Sequence, residues 1–235
     1  MKIFIGYDKR EAIAYHVCSN SLIRHSTGPL EIVPLALNNL KTFYGEEHKD
    51  GSNDFIYSRF LVPYLCGFTG TALFMDGDMV VLDDVSKLFE LADPRMAVQV
   101  VKHEYKTKAE KKYLGSINEN YPCKNWSSVI LWNCNHFANR KLTPDNVAKM
   151  TGPQLHRFTW IEPDRIGELP IEWNWLESEY PINPEAKLIH YTLGTPCWSE
   201  YSNTPMSDKW HVELKEALNV DNGSILGMCD RACLT

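Results

Sequence analysis

The sequence predicts an α/β fold: a mixed, mainly parallel sheet flanked by helices. Strand-like and helix-like segments alternate along the chain, the pattern that lays parallel strands together with helices on their faces. The first segment, Lys2 to Tyr7, is a short, mostly apolar run of the kind a buried strand needs. A length of 235 residues with 44% apolar side chains suits one such domain with a real core. One domain is therefore expected over residues 1–235, with 200–235 as a C-terminal helical appendage.

Each element has its own justification. Asp8 and Glu11 after the first strand make a pattern like a capping box, opening a helix to about Ser26 with Ala12, Ile13, Val17 and Leu22 inward. Gly28-Pro29 ends it, and Glu31 to Leu37 reads as the second strand. Asp54 opens a helix through Leu65, and Thr71 to Met75 is the next strand. A short helix over Val85 to Leu91 and a strand over Met96 to Val101 follow. The charged stretch His103 to Pro122 holds few large apolar residues, so it reads as a cheaply opened connection and a candidate lid. Trp126 to Cys134 is a strand, Asp145 to Met150 a helix, Lys187 to Tyr191 a late strand and Met206 to Leu218 a last helix.

Composition removes several classes. A net charge of -6 argues against a nucleic-acid partner. The opening MKIFIGYDKREA has no apolar run of signal-peptide length, and no stretch reaches the roughly 18 apolar residues of a membrane span. The seven cysteines are odd in number and lack a Cys-x-x-Cys pair, which reads as reduced thiols and not as a zinc site. A cytoplasmic protein, or one peripheral at the inner membrane face, is expected.

The stretch LFMDGDMVVLDD, Leu73 to Asp84, places Asp76 and Asp78 amid apolar residues. If the strand continues through Gly77, both carboxylates face one side. Two like charges that close repel unless a proton or a cation sits between them. Oxygen ligands suit Mg²⁺ or Mn²⁺, and Gly77 lets a bulky ligand approach the backbone. The alternative is a solvated Asp-Gly turn joining two hairpin strands.

Five stretches together resemble glycosyltransferase family 8 and its relatives, which have the GT-A fold. FMDGDMVV resembles the family's Asp-x-Asp motif, and YSRFLVPYL its arginine-bearing helix. NWSSVILWN is similar to its Asn-Ser-Gly strand, with Ser128 in place of the glycine. LPIEWNWL resembles its Leu-Pro…Trp-Asn segment, and LIHYTLGTPCW its late His-x-x-Gly-x-x-Lys-Pro-Trp motif. The resemblance implies transfer of a sugar from a nucleotide-sugar donor, here expected to be a UDP-sugar, with retention and with Mn²⁺ (or Mg²⁺). The acceptor would be a hydroxyl of a glycan, a lipid-linked or a protein acceptor. Asp76, Asp78 and His190 map to the metal ligands. Tyr7, Asp8, Arg59, Gly77, Asn133 and Gly194 map beside the two aspartates as donor contacts.

Two departures stand out. The late motif has altered spacing after His190 and no lysine to grip the phosphates; backbone N–H groups at Gly194 and Thr195, or Lys187 or Lys124, are stand-ins. Where the family has a polar Asp/Gln-containing segment before its Leu-Pro…Trp-Asn stretch, this sequence has TWIEPDRIGELP; Glu162 and Asp164 are the nearest catalytic candidates there, or solvated loop carboxylates. Trp160, Trp173, Trp175 and Trp198 are candidates for a sugar platform, although clustered tryptophan is more often core. Two other readings fit the dyad: a nucleotidylyltransferase on a similar fold, disfavoured by the single glycine of IGYDKREA, and a non-catalytic Ca²⁺-dependent carbohydrate-binding module.

Overall fold

The computed structural model describes residues 1–48 and 53–219. Its strands are β1 (Lys2–Tyr7), β2 (Glu31–Ala36), β3 (Thr71–Met75), β4 (Met79–Val81), β5 (Val98–Val100), β6 (Val129–Asn133), β7 (Ile166–Glu168), β8 (Trp175–Leu176) and β9 (Leu188–His190). Its α-helices are α1 (Ala12–His25), α2 (Val62–Leu65), α3 (Ser86–Phe89), α4 (Pro144–Lys149), α5 (Gly152–His156) and α6 (Ser207–Leu218).

A six-stranded sheet runs in the order β2-β1-β3-β6-β5-β7. β1 is parallel to β2 and β3, and β5 is parallel to β7. β6 alone is reversed, antiparallel to both β3 and β5. The sheet is thus mixed and mainly parallel, as expected. Because β6 is reversed, its first residue, Val129, stands beside Met75, and its last, Asn133, stands beside Thr71.

Side chains alternate across this sheet, so both faces are buried. Phe4, Phe74, Val98, Ile130 and Trp132 pack under Phe60, Phe158 and Trp160. Ile3, Ile5, Leu73, Met75 and Leu131 pack with Cys18 and Leu22 of α1 and with Trp173. Trp160 and Trp173 are therefore core, whereas Trp175 and Trp198 are half-buried. A third cluster joins Val17 of α1, Val80 and Ile189 to Trp210 and Leu214 of α6. The described part of the C-terminal segment is thus integral to the core; 220–235 lies outside the described residues.

The chain does not continue as one strand through the aspartates. It leaves the large sheet after Met75, bends at Gly77 and Asp78, and enters a second sheet of order β4-β9-β8. Gly77 is required by close approach: a Cβ there would stand 2.5 Å from the carbonyl oxygen of Gly6 at the end of β1. In the small sheet Met79 pairs with His190, which sets the last residue of β9 beside Asp78.

Glu11 also departs from expectation. Asp8 does cap the first turn, accepting from the Arg10 backbone N–H at 2.9 Å, but no capping box forms. Glu11 is buried and its Oε1 accepts from Thr195 Oγ1 at 2.7 Å and Trp198 Nε1 at 3.0 Å, tying the start of α1 to the loop after β9. Burial, reinforced by the charge of Asp78, pushes its carboxyl up to about 7. The expectation of wholly reduced thiols fails as well: Cys18, Cys66, Cys123 and Cys134 are free, but Cys197 is disulfide-bonded.

Two outcomes follow. Gly77→Ala forces the Gly6 carbonyl away and is expected to lower stability by about 1–3 kcal/mol in urea denaturation. Glu11 keeps its proton to higher pH in the folded than in the unfolded chain, so its contribution falls as pH rises through roughly 4.5 to 7. Glu11→Gln retains the acceptor oxygen without the charge. Stability curves at pH 5 and pH 8 should show a loss of up to about 3 kcal/mol in the wild type that the variant lacks.

Candidate active site

Three elements converge on one point. Asp76 follows β3, Asp78 precedes β4, and His190 ends β9. One ligand atom from each lies within 4.8 Å of the others. His190 Nε2 is 3.4 Å from Asp78 Oδ1 and 3.9 Å from Asp76 Oδ2. His190 Nδ1 is 3.0 Å from Asn174 Oδ1, and the Asn174 amide is oriented by donating to Ser128 Oγ at 2.8 Å. An amide oxygen can only accept, so Nδ1 carries a hydrogen, and Nε2 is the ring nitrogen left to face the two carboxylates. Acceptors facing acceptors in a buried setting call for a cation or a proton between them. This donor set, two hard oxygens and one imidazole nitrogen, fits a divalent metal such as Mn²⁺.

The surroundings support the same charge pattern. Asp76 Oδ1 and Asp78 Oδ1 are buried with no aligned hydrogen-bond donor among the described residues. Arg59 is buried between the Phe55 and Phe74 rings, with Nη1 2.8 Å from Asp76 Oδ1 but directed onto the Ser127 carbonyl. Burial pushes the Asp76 carboxyl up to about 6, with Arg59 opposing. Burial also raises Asp78, yet His190 and Lys112 more than offset it and hold that carboxyl below the usual range. The two groups are thus split, one holding its charge readily and one reluctantly.

A cavity of about 70 Å³ opens on these groups, walled by Arg59, Ser127, Ser128, Tyr121, Thr192 and Lys112 among others. A neighbouring cavity of about 480 Å³ shares Ile56, Lys112, Tyr121 and His156. Lys112 and Tyr121 come from the charged stretch 103–122, which is better tied down than its composition suggests. Asn118 Nδ2 donates to the Ala109 carbonyl at 2.9 Å, Thr107 Oγ1 to Glu179 at 3.0 Å, and Lys124 Nζ to Asn118 Oδ1 at 2.6 Å.

Of the residues expected at the site, Arg59, Asp76, Gly77, Asp78 and His190 come together. Tyr7 and Asp8 end β1 at the same edge of the sheet, since Ile5 is in register with Met75, but neither lines the cavity. Asn133 does not reach it. It stands at the opposite end of the sheet, where its Nδ2 donates to the carbonyls of Pro94 and Met96. The reason is the reversal of β6, which brings Ser127 and Ser128 to the site in its place. Glu162 and Asp164 are also remote: both are exposed, in a turn before β7, at the end of the sheet away from Asp76. Sequence reasoning missed Asn174, although LPIEWNWL had drawn attention to its segment, and it missed Lys112, which no local pattern singles out.

Among the described residues, no helix is long and apolar enough to cross a membrane. Comparison with known proteins agrees with the geometry. Protein CDI of Arabidopsis thaliana is 38% identical over 223 residues, covering 92% of this chain and 86% of that protein. The fold matches the WbbM bifunctional glycosyltransferase with a TM-score of 0.66 at 16% identity over 100% of this chain, which spans about half (52%) of that protein. It matches GlyE of Streptococcus pneumoniae TIGR4 with a TM-score of 0.59 at 18% identity, over 93% of this chain and 62% of that one. The galactosyltransferase LgtC, solved with donor and acceptor sugar analogues, gives 0.56 at 10% identity over 94% of this chain and 98% of that one. Residues 22–202 match the family description Glycosyl transferase family 8, and the chain belongs to that family of GT-A glycosyltransferases.

Proposed function

We propose that this glycosyltransferase uses a divalent metal, Mn²⁺ in preference to Mg²⁺, to bind a UDP-sugar and transfers the sugar with retention to a hydroxyl of a glycan. The observation that carries the reading is His190 Nε2 set 3.4 Å from Asp78 Oδ1 and 3.9 Å from Asp76 Oδ2, with the Oδ1 atom of each aspartate buried and lacking an aligned donor among the described residues. Asp76, Asp78 and His190 would hold the metal, with Asn174 fixing the tautomer. A bound divalent ion supplies charge neutralisation to a departing nucleoside diphosphate.

The chain's own residues have separable roles in this reading. Arg59 holds Asp76 in place and keeps positive charge behind it. Ser127 and Ser128 offer small polar walls where the donor sugar would lie. Among the described residues, the cavity walls hold no carboxylate beyond Asp76 and Asp78, which supports attack from the same face as the leaving group with no protein nucleophile. The corner beside the aspartates holds only about 70 Å³, and Lys112 and Tyr121 separate it from the neighbouring cavity of about 480 Å³, so these side chains of the 103–122 stretch would shift to seat a donor across both. The nucleotidylyltransferase and carbohydrate-module readings give way to the family match.

Thermal stabilisation by a panel of UDP-, GDP- and dTDP-sugars, each with Mn²⁺ or with EDTA, tests donor and metal together. A UDP-sugar that stabilises only with Mn²⁺ is expected; equal stabilisation in EDTA sinks the metal assignment. Asp78→Asn should weaken Mn²⁺ binding by about 100-fold or more, and Asn174→Ala by about 10- to 100-fold through loss of the fixed tautomer. Protons compete for Asp76, so Mn²⁺ affinity should fall as pH drops through about 6, read by titration calorimetry. Proton NMR of the product's anomeric centre decides retention against inversion.

A further inference from the structure

The late segment LIHYTLGTPCW contains no lysine, yet a diphosphate leaving group calls for a cation besides the metal. Each replacement that the sequence offers is occupied elsewhere. The Gly194 N–H donates to the Tyr191 carbonyl at 3.2 Å, and the Thr195 N–H to Glu11 Oε1 at 3.4 Å, so neither amide points at an anion. Lys124 Nζ is held by Asn118 Oδ1 and the Glu119 carbonyl, both at 2.6 Å. Lys187 lies over the Trp173 ring, 5.4 Å from its centroid, and does not line the cavity.

Lys112 has none of these commitments. It is half-buried and lines the same cavity as Asp76, Asp78 and His190. Among the described residues no carboxylate lies within 4.0 Å of its Nζ, although the charges of both aspartates act on it. Its position is built. The next residue, Tyr113, donates its N–H to the Leu193 carbonyl at 2.6 Å, and its ring packs 5.8 Å from Trp198. Gly194, at φ 153°, accepts this docking because a Cβ there would meet the Tyr201 ring at 2.6 Å and Tyr113 Cβ at 3.0 Å. The 103–122 stretch is therefore seated on the very turn that lacks a lysine, and it carries one in.

We propose that Lys112 is the cation that grips the donor diphosphate, supplied to the late turn from a distant part of the same chain by the stretch docked on it. This rests on the nucleotide-sugar reading above. It makes donor binding and closure one event: the ammonium reaches the phosphates only while Tyr113 is seated against Leu193 and Gly194.

Calorimetric titration of UDP and of uridine, both in saturating Mn²⁺, into wild type, Lys112→Met, Lys112→Arg and Lys187→Met tests it. Lys112→Met should weaken UDP by about 10- to 100-fold with uridine unchanged, Lys112→Arg should recover most of that loss, and Lys187→Met should match wild type. If wild type binds UDP and Lys112→Met binds it equally well or more tightly, Lys112 is only a counter-ion for the aspartates and the proposal falls alone. If wild type binds no UDP with Mn²⁺, the donor reading falls and takes the proposal with it. Equal unfolding temperatures for wild type and Lys112→Met exclude a folding defect; should they differ, the ratio of UDP to uridine affinity within each variant still decides the matter.

Discussion

The site rests on an unbalanced meeting of acceptors. Two carboxylates and an imidazole nitrogen converge in one place, and the Oδ1 atom of each carboxylate is buried with no aligned donor among the described residues. An arrangement of that kind is costly unless a cation completes it. The rest of the local structure can be understood as holding the three acceptors in place. Asn174 sets the imidazole tautomer, Arg59 stands behind Asp76, and Gly77 lets the chain pass within touching distance of the Gly6 carbonyl.

The two-sheet construction makes the convergence possible. β3 belongs to the large sheet and β4 to the small one, so the Asp76-Gly77-Asp78 bend is a seam between two layers. His190 arrives from the small sheet by pairing with Met79. The seam is stiff because both sheets are packed: α1 lies against Leu73 and Met75 on one side and against Val80 and Ile189 on the other. Side chains drawn from a stiff seam lose little entropy when they bind a ligand.

The opposite wall is of another kind. The stretch 103–122 is held by charges and hydrogen bonds more than by apolar burial, with Thr107 and Lys108 on Glu179 and Asn118 on Lys124. Its hold on the late turn runs through one backbone hydrogen bond and the Tyr113–Trp198 contact. A packed corner of acidic side chains thus faces a wall held by polar contacts. Glu11 links the two halves, since its carboxylate holds Thr195 and Trp198 from the start of α1.

Much of this was legible in the residues. Alternating apolar strands and helices sufficed for the fold class, and the unusual price of two aspartates between apolar runs, with an ordered set of family-like motifs, was enough to single out Asp76, Asp78 and His190. Local patterns reach that far because burial and charge are properties of short segments. What they could not carry was strand direction: a reversed β6 has the same apolar run as a parallel one, and reversal alone sends Asn133 to the far end and Ser127 and Ser128 to the site. Nor could they reveal Lys112, one of many charges in a polar stretch, or the capping-box glutamate that turns to Thr195 instead. Those assignments depend on which distant backbone groups meet, and only the packed tertiary structure decides that.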